Sequence, residues 1–161
     1  MIKSHPYNNH NLFCSWRDFD NYVSSIFNQL QSSKWIPDYI VGVKRGGLIP
    51  AIKLSHMLDK PLIMMSCQLR DDVDNRVKLL EVESLSKDKK ILIIDDICDS
   101  GSTLQKIIEE TQNYGFLNVK VGALYYNTFQ TFKIDYCSKT IDRSYDKRWI
   151  IFPWEYTTYE T

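Results

Sequence analysis

Short apolar runs alternate along this chain with stretches whose apolar residues recur at helical spacing. Trp16, Phe19, Val23, Ile26, Phe27 and Leu30 mark one face of an amphipathic helix behind Ser15-Trp16-Arg17-Asp18, which reads as a capping box. After the breakers Ser32, Ser33 and Pro37, the run at 39–43 predicts a strand, and Ala51, Ile52, Leu54 and Leu58 predict a helix beginning near Pro50. A third strand is expected at 61–65. The run Ile-Leu-Ile-Ile at 91–94 reads as a strand buried on both faces of a parallel sheet and ending near Asp95. Leu104, Ile107 and Ile108 then predict a helix from about Ser102 up to Gly115, a C′ glycine, followed by a strand at 118–126 and a short edge strand at 134–137. Strands alternating with helices in this order specify an α/β fold with an open, mainly parallel, twisted sheet flanked by helices.

Composition narrows the picture without redirecting it. The 161 residues are one domain's worth, with 43% hydrophobic residues to build its core. Twenty basic and twenty acidic side chains cancel, so no global field favours nucleic acid or a membrane surface, and any anion site must be local. Residues 1–15 are polar and His/Asn-rich, with 1–13 expected to be loosely ordered, and no run approaches the roughly 18 apolar residues of a membrane span. A soluble cytoplasmic protein is the expectation. Cys14, Cys67, Cys98 and Cys137 form no Cys-x-x-Cys and have only three histidines for company, which argues against zinc or a disulfide framework. Cys98 reads as a small buried filler.

Chemistry concentrates where strand meets helix. Asp99-Ser100-Gly101-Ser102-Thr103 points backbone N–H groups and hydroxyls at one spot, which suits a phosphate, and Asp95-Asp96 just before it suits sugar hydroxyls or a hard cation. The acidic pair also resembles the opening of a receiver domain, but there it ends the first strand, and too little chain follows it here. Lys44-Arg45-Gly46-Gly47 repeats the strand, loop and helix logic. Alone, such a loop is as readily a surface turn; paired with the first, it shares the carboxyl edge of a parallel sheet, where ligands of open α/β folds bind. The charged stretch at 70–78 reads either as a solvated turn or as a functional loop, and the aromatic tail at 149–155 as core packing or a platform for a flat heterocycle.

The order Asp-Asp-x-x-Asp-Ser-Gly-x-Thr closely resembles the phosphoribosyl diphosphate signature of type I phosphoribosyltransferases. With Trp16, Lys-Arg-Gly-Gly and the terminal Trp149-Ile-x-x-Pro-Trp-Glu155, it is similar to the compact xanthine-guanine branch. The resemblance implies a single domain over 1–161 with a mobile lid at 66–80 and a small C-terminal base-binding hood at 127–161. It implies Mg²⁺-dependent transfer of the 5-phosphoribosyl group from phosphoribosyl diphosphate to guanine, xanthine or hypoxanthine, in purine salvage. Asp95 and Asp96 would hold the ribose hydroxyls and Mg²⁺, and Asp99 would accept the N7 proton of the base. Ser100, Gly101, Ser102 and Thr103 would bind the 5′-phosphate, while Lys44, Arg45, Gly46, Gly47, Arg76 and Lys78 would meet the diphosphate. Trp149 would stack on the purine, with backbone near Ile150 and Glu155 reading its C2 side. A homo-oligomer, dimer or tetramer, is implied by the same analogy.

One position departs from the family. Purine enzymes carry a Lys, usually followed by Pro, where this chain has Asn127-Thr128. Asn127 is expected to donate a neutral hydrogen bond to the base, about 1 kcal/mol weaker than a charged one. That change keeps a second reading open, a phosphoribosyltransferase fold that senses phosphoribosyl diphosphate or nucleotides without turning them over.

Overall fold

Residues 10–67, 77–78 and 85–155 are described by the computed structural model of the chain, with Cys67, Val77 and Lys78 described by backbone alone. Strand β5 (Ile91–Cys98) lies at the centre, and its first four residues are fully buried, as a run of β-branched and aliphatic side chains requires between two layers. Around it β2 (Tyr39–Val43), β3 (Leu62–Cys67), β6 (Val119–Asn127) and β7 (Tyr136–Ile141) pair in parallel in the order β3-β2-β5-β6-β7, and β4 (Val77–Lys78) adds an antiparallel edge to β3.

Alternation along β5 decides which helix each residue meets. Leu92 and Ile94 face α1 (Trp16–Ser33) and α2 (Leu48–Leu58), packing with Phe19, Val23, Ile26, Leu30, Ala51 and Leu54. Ile91 and Ile93 face the opposite way, toward Leu104 and Ile107 of α3 (Ser102–Asn113). The helix that follows β2 and the helix that follows β5 therefore lie on opposite faces, which makes the gap between these two strands the topological switch point of the sheet.

Ser15 caps α1 in both directions: its hydroxyl accepts from the Asp18 N–H at 3.1 Å, and its own N–H donates to the Asp18 carboxylate at 3.0 Å. The Ser15 hydroxyl, donating to the Asp18 carboxylate at 2.6 Å, and then the Ser15 N–H hold that carboxyl below its usual range. Two expectations need correction. Residues 11–13 are not loose: β1 (Asn11–Phe13) pairs in parallel with β8 (Trp149–Ile151), so the chain's first described segment forms a two-stranded sheet with its last strand. A run of three, Asn-Leu-Phe, is too short to show a period, and its partner lies far along the chain. The edge strand expected at 134–137 instead runs through Ile141, because its ladder with β6 continues to Asn127↔Ile141.

The aromatic tail packs as a core would. Phe152 stacks on Trp154 with ring centres 4.7 Å apart, Trp154 meets Phe19 edge-on at 5.6 Å, and Phe152 meets Tyr125 at 6.0 Å. These contacts fix the segment that follows β8 against α1 and β6.

Candidate functional site

Strand β5 does not stop at Asp95. It continues to Cys98 because β6 keeps pairing with it, through Asp95↔Ala123, Ile97↔Tyr125 and Cys98↔Tyr126, whereas β2 leaves at Gly42↔Ile94. The last four residues of β5 thus have a ladder on one side and an open crevice on the other. Into that crevice the β2–α2 loop is pressed. A Cβ added at Gly47 would lie 2.5 Å from the Ile94 carbonyl and 2.7 Å from the Asp95 Cα, and one at Gly46 only 1.7 Å from the Asp96 carboxylate. Both glycines are required by close approach rather than by backbone angle. Lys44 and Arg45, joined by a cis peptide, are exposed at the loop's rim, and neither is ion-paired among the described residues.

The acidic pair lies between the two loops. Asp95 accepts from the Asp96 N–H at 2.9 Å, and Asp96 from the Ile97 N–H at 2.9 Å. Burial, then the adjacent Asp96 charge, pushes the Asp95 carboxyl well above its usual range; burial raises Asp96 as well, with Glu155 of the hood adding to the effect. Two desolvated carboxylates side by side favour whatever supplies positive charge or hydroxyl donors. Among the described residues no group of three or more His, Cys, Asp or Glu gathers as a metal cluster.

Beyond the pair the chain turns into α3 through Gly101, whose φ of 81° is left-handed and whose missing Cβ would meet Phe132 at 2.6 Å. The N-cap of this helix, Gly101, has no side chain to offer, and the first helical N–H, that of Ser102, donates to the Ser100 hydroxyl at 3.3 Å. Ser100 and Ser102 share a hydrogen bond at 2.9 Å across its mouth, so hydroxyls and helix N–H groups converge at one exposed spot.

The far end of the site is assembled from separate parts of the chain. Asp99, 53% exposed at its side chain, receives a hydrogen bond from Arg143 Nε at 3.0 Å, and Arg143 is only 16% exposed. The Asn127 side chain, expected to face a base, is buried and tied to the protein instead. Its Nδ2 donates to the Asp99 carbonyl at 3.0 Å, and its Oδ1 accepts from the Phe129 and Arg143 N–H groups at 3.0 and 3.1 Å. It fastens the end of β6 to the phosphate-sized loop and to the 142–148 turn. Trp149 opens β8 and is 65% exposed.

Matching the chain against family models gives the phosphoribosyl transferase domain over residues 15–161. The chain belongs to the phosphoribosyltransferase family. A xanthine-guanine phosphoribosyltransferase of Nitratidesulfovibrio vulgaris is 28% identical over 120 residues, 72% of this chain and 68% of that one. The crystal structure of a purine phosphoribosyltransferase from Pyrococcus horikoshii is 30% identical with a TM-score of 0.75, over 94% of this chain and 98% of that one. A Neisseria gonorrhoeae protein with bound ppGpp shares the fold, at 19% identity and a TM-score of 0.78 over 95% and 93% of the two chains.

Within this phosphoribosyltransferase, Asp95, Asp96, Asp99, Ser100 to Thr103 and Lys44 to Gly47 all gather at the carboxyl edge of β2 and β5. The Glu155 N–H donates to the Phe152 carbonyl at 2.9 Å and so already has a protein partner, whereas the ladder between β8 and β1 bonds through Trp149 and Ile151, on either side of the buried Ile150. Arg76 lies outside the described residues, as does most of the expected lid, and of Lys78 only the backbone is described, paired with Ser66. Arg143 escaped the sequence because one basic residue in a charged stretch carries no spacing signal. Cys98 is the inert filler expected: burial, then Asp95 and Asp99, pushes its thiol up to about 12. Among the described residues no helix is long and apolar enough to cross a membrane.

Proposed function

We propose that this chain transfers the 5-phosphoribosyl group from phosphoribosyl diphosphate to a 6-oxopurine, forming the nucleotide and releasing diphosphate. The observation that carries the reading is the carboxylate pair at the switch point, flanked by one loop pressed in by two glycines and another opening onto a helix whose N-cap is a glycine. A ligand with phosphate, ribose and diphosphate in series matches that order of donors and acceptors.

The 5′-phosphate accepts from the N–H and hydroxyl groups of Ser100 to Thr103. Asp95 and Asp96 accept from the ribose hydroxyls, which relieves two desolvated carboxylates. Lys44, Arg45 and the backbone of Gly46 and Gly47 receive the diphosphate. In the reaction the C1′–oxygen bond to diphosphate breaks, the bond from C1′ to the ring nitrogen forms, and the electron pair leaves with diphosphate. The proton that the base sheds goes to Asp99, the exposed carboxylate of the loop. Trp149 lends a ring face to hold the base flat. Two adjacent carboxylates suit Mg²⁺, which takes one or two protein oxygens and completes its shell with phosphates and water. When bound, the ion neutralises the charge of the departing diphosphate.

Asp99→Asn tests the role of the proton acceptor. Turnover should fall roughly 100- to 10,000-fold, the usual worth of a positioned general base, while phosphoribosyl diphosphate binds as before. Unchanged turnover would sink the assignment. One observation favours the sensing alternative, the engagement of the Asp99 carboxylate by Arg143, and binding without turnover in the wild type would make it the better reading.

A further inference from the structure

The carboxylate nearest the acceptor base is held by a cation from 44 residues further along the chain. Arg143 donates Nε to Asp99 Oδ1 at 3.0 Å and Nη1 to the Arg148 and Asp146 carbonyls at 2.5 and 3.4 Å. The turn that presents it is rigid. Asp142 accepts from the Ser144 N–H through its carboxylate at 2.8 Å and from the Asp146 N–H through its carbonyl at 2.8 Å. Arg148 clasps Asp146 with Nε and Nη2, at 3.0 and 2.7 Å, and holds that carboxyl down to about 2. Asn127 anchors the start of the turn through the Arg143 N–H.

A guanidinium has five N–H donors in a fixed planar fork. Here Nε and Nη1 are engaged, while Nη2 has no partner among the described residues. Nη2 lies on the same edge of the fork as Nε, so its N–H points alongside the Asp99 carboxylate. We infer that Arg143 reads the exocyclic 6-oxygen of the acceptor base, beside the ring nitrogen whose proton passes to Asp99. The inference rests on the transfer reading above.

The chemistry of the base makes the pairing specific. N7 and the 6-substituent of a purine lie side by side on one edge, the edge a guanidinium matches. With Asp99 at N7, a 6-oxo group needs a donor next to that carboxylate, and Nη2 is one. Adenine places an amino group there, setting two donors against each other with no acceptor between. Asn127 is buried, with its oxygen accepting two backbone N–H groups and its Nδ2 donating to the Asp99 carbonyl, so its side chain is committed to holding the loop and the turn together.

The test compares IMP with AMP binding by calorimetry, and hypoxanthine with adenine turnover, in the wild type, Arg143→Met and Arg143→Lys. The wild type should favour IMP. Arg143→Met should weaken IMP roughly 10- to 100-fold, the worth of a charged hydrogen bond, and AMP by less than about threefold. Arg143→Lys should recover part of the discrimination, and it serves alone if the Met variant fails to fold. Equal weakening of both nucleotides would reduce Arg143 to a positioning residue for Asp99 and overturn the inference. So would a wild type that does not discriminate, or that binds neither nucleotide. Failure of the transfer reading has a different signature: no turnover with any base, while IMP and AMP remain separated in an Arg143-dependent way.

Discussion

The proposed phosphate end and the proposed base end of this site are built by opposite means. At the phosphate end the ligands sit within two short contiguous stretches, 44–47 and 95–103, and much of the work falls to backbone N–H groups placed by strand ends, glycines and a helix start. At the proposed base end Asp99 and Arg143 are joined to each other and to the structural Asn127 by side-chain bonds across the sequence, with Trp149 exposed nearby in the chain at the start of β8. Backbone chemistry is set by local conformation and tolerates few alternatives. Side-chain assemblies are free to swap members, as the structural use of Asn127 and the arrival of Arg143 illustrate.

The comparison breaks most readily at Gly46. Gly46→Ala sets a Cβ where the Asp96 carboxylate now lies, 1.7 Å away, so that carboxylate must swing out of the site. The kcat/KM for phosphoribosyl diphosphate should fall about 100-fold, one to two charged hydrogen bonds' worth, with the melting temperature little changed. A variant as active as the wild type would show that the loop has room the geometry denies it.

Asn127→Ala probes the other end. It removes three hydrogen bonds at a buried position, which should cost about 2–3 kcal/mol in urea unfolding. The KM for the base should rise while affinity for phosphoribosyl diphosphate holds. A loss confined to phosphoribosyl diphosphate would erase the distinction between the two ends.

The smallest effect is expected where the ends meet. Because burial and Asp96 raise the Asp95 pKa, the folded chain holds that proton more tightly than the unfolded chain does. Stability is therefore drained as pH rises from the ordinary carboxylate value of 3.8 through the raised folded value, and it stays lowered at neutral pH. Asp95→Asn should raise the melting temperature at pH 7 by roughly 2–4 °C, about 1 kcal/mol in a chain this size. The gain should vanish below pH 3.8, where both states are protonated in the wild type. A variant less stable than the wild type at neutral pH would refute the strain assigned to the pair.

These contrasts also explain what could be read from the residues alone. The β2, β5 and α3 elements and both loops were legible because an apolar run, a small-residue turn and a helical period follow each other within about twenty positions. The capping box at Ser15 and Asp18 was legible for the same reason. The extension of β5 through two aspartates was not, since it depends on β6 continuing the ladder after β2 has left. Nor was β1, three residues whose strand identity comes wholly from Trp149, Ile150 and Ile151. Arg143 was hidden for the reason that makes it interesting: its partners, Asp99 and Asn127, are 44 and 16 positions away.

The most direct test of the account is diphosphate release by the purified protein with Mg²⁺ and phosphoribosyl diphosphate, offered guanine, xanthine, hypoxanthine, adenine or uracil in turn. Release with at least one 6-oxopurine, and little with adenine or uracil, is the predicted result. Binding of phosphoribosyl diphosphate with no release for any base would contradict the transfer reading.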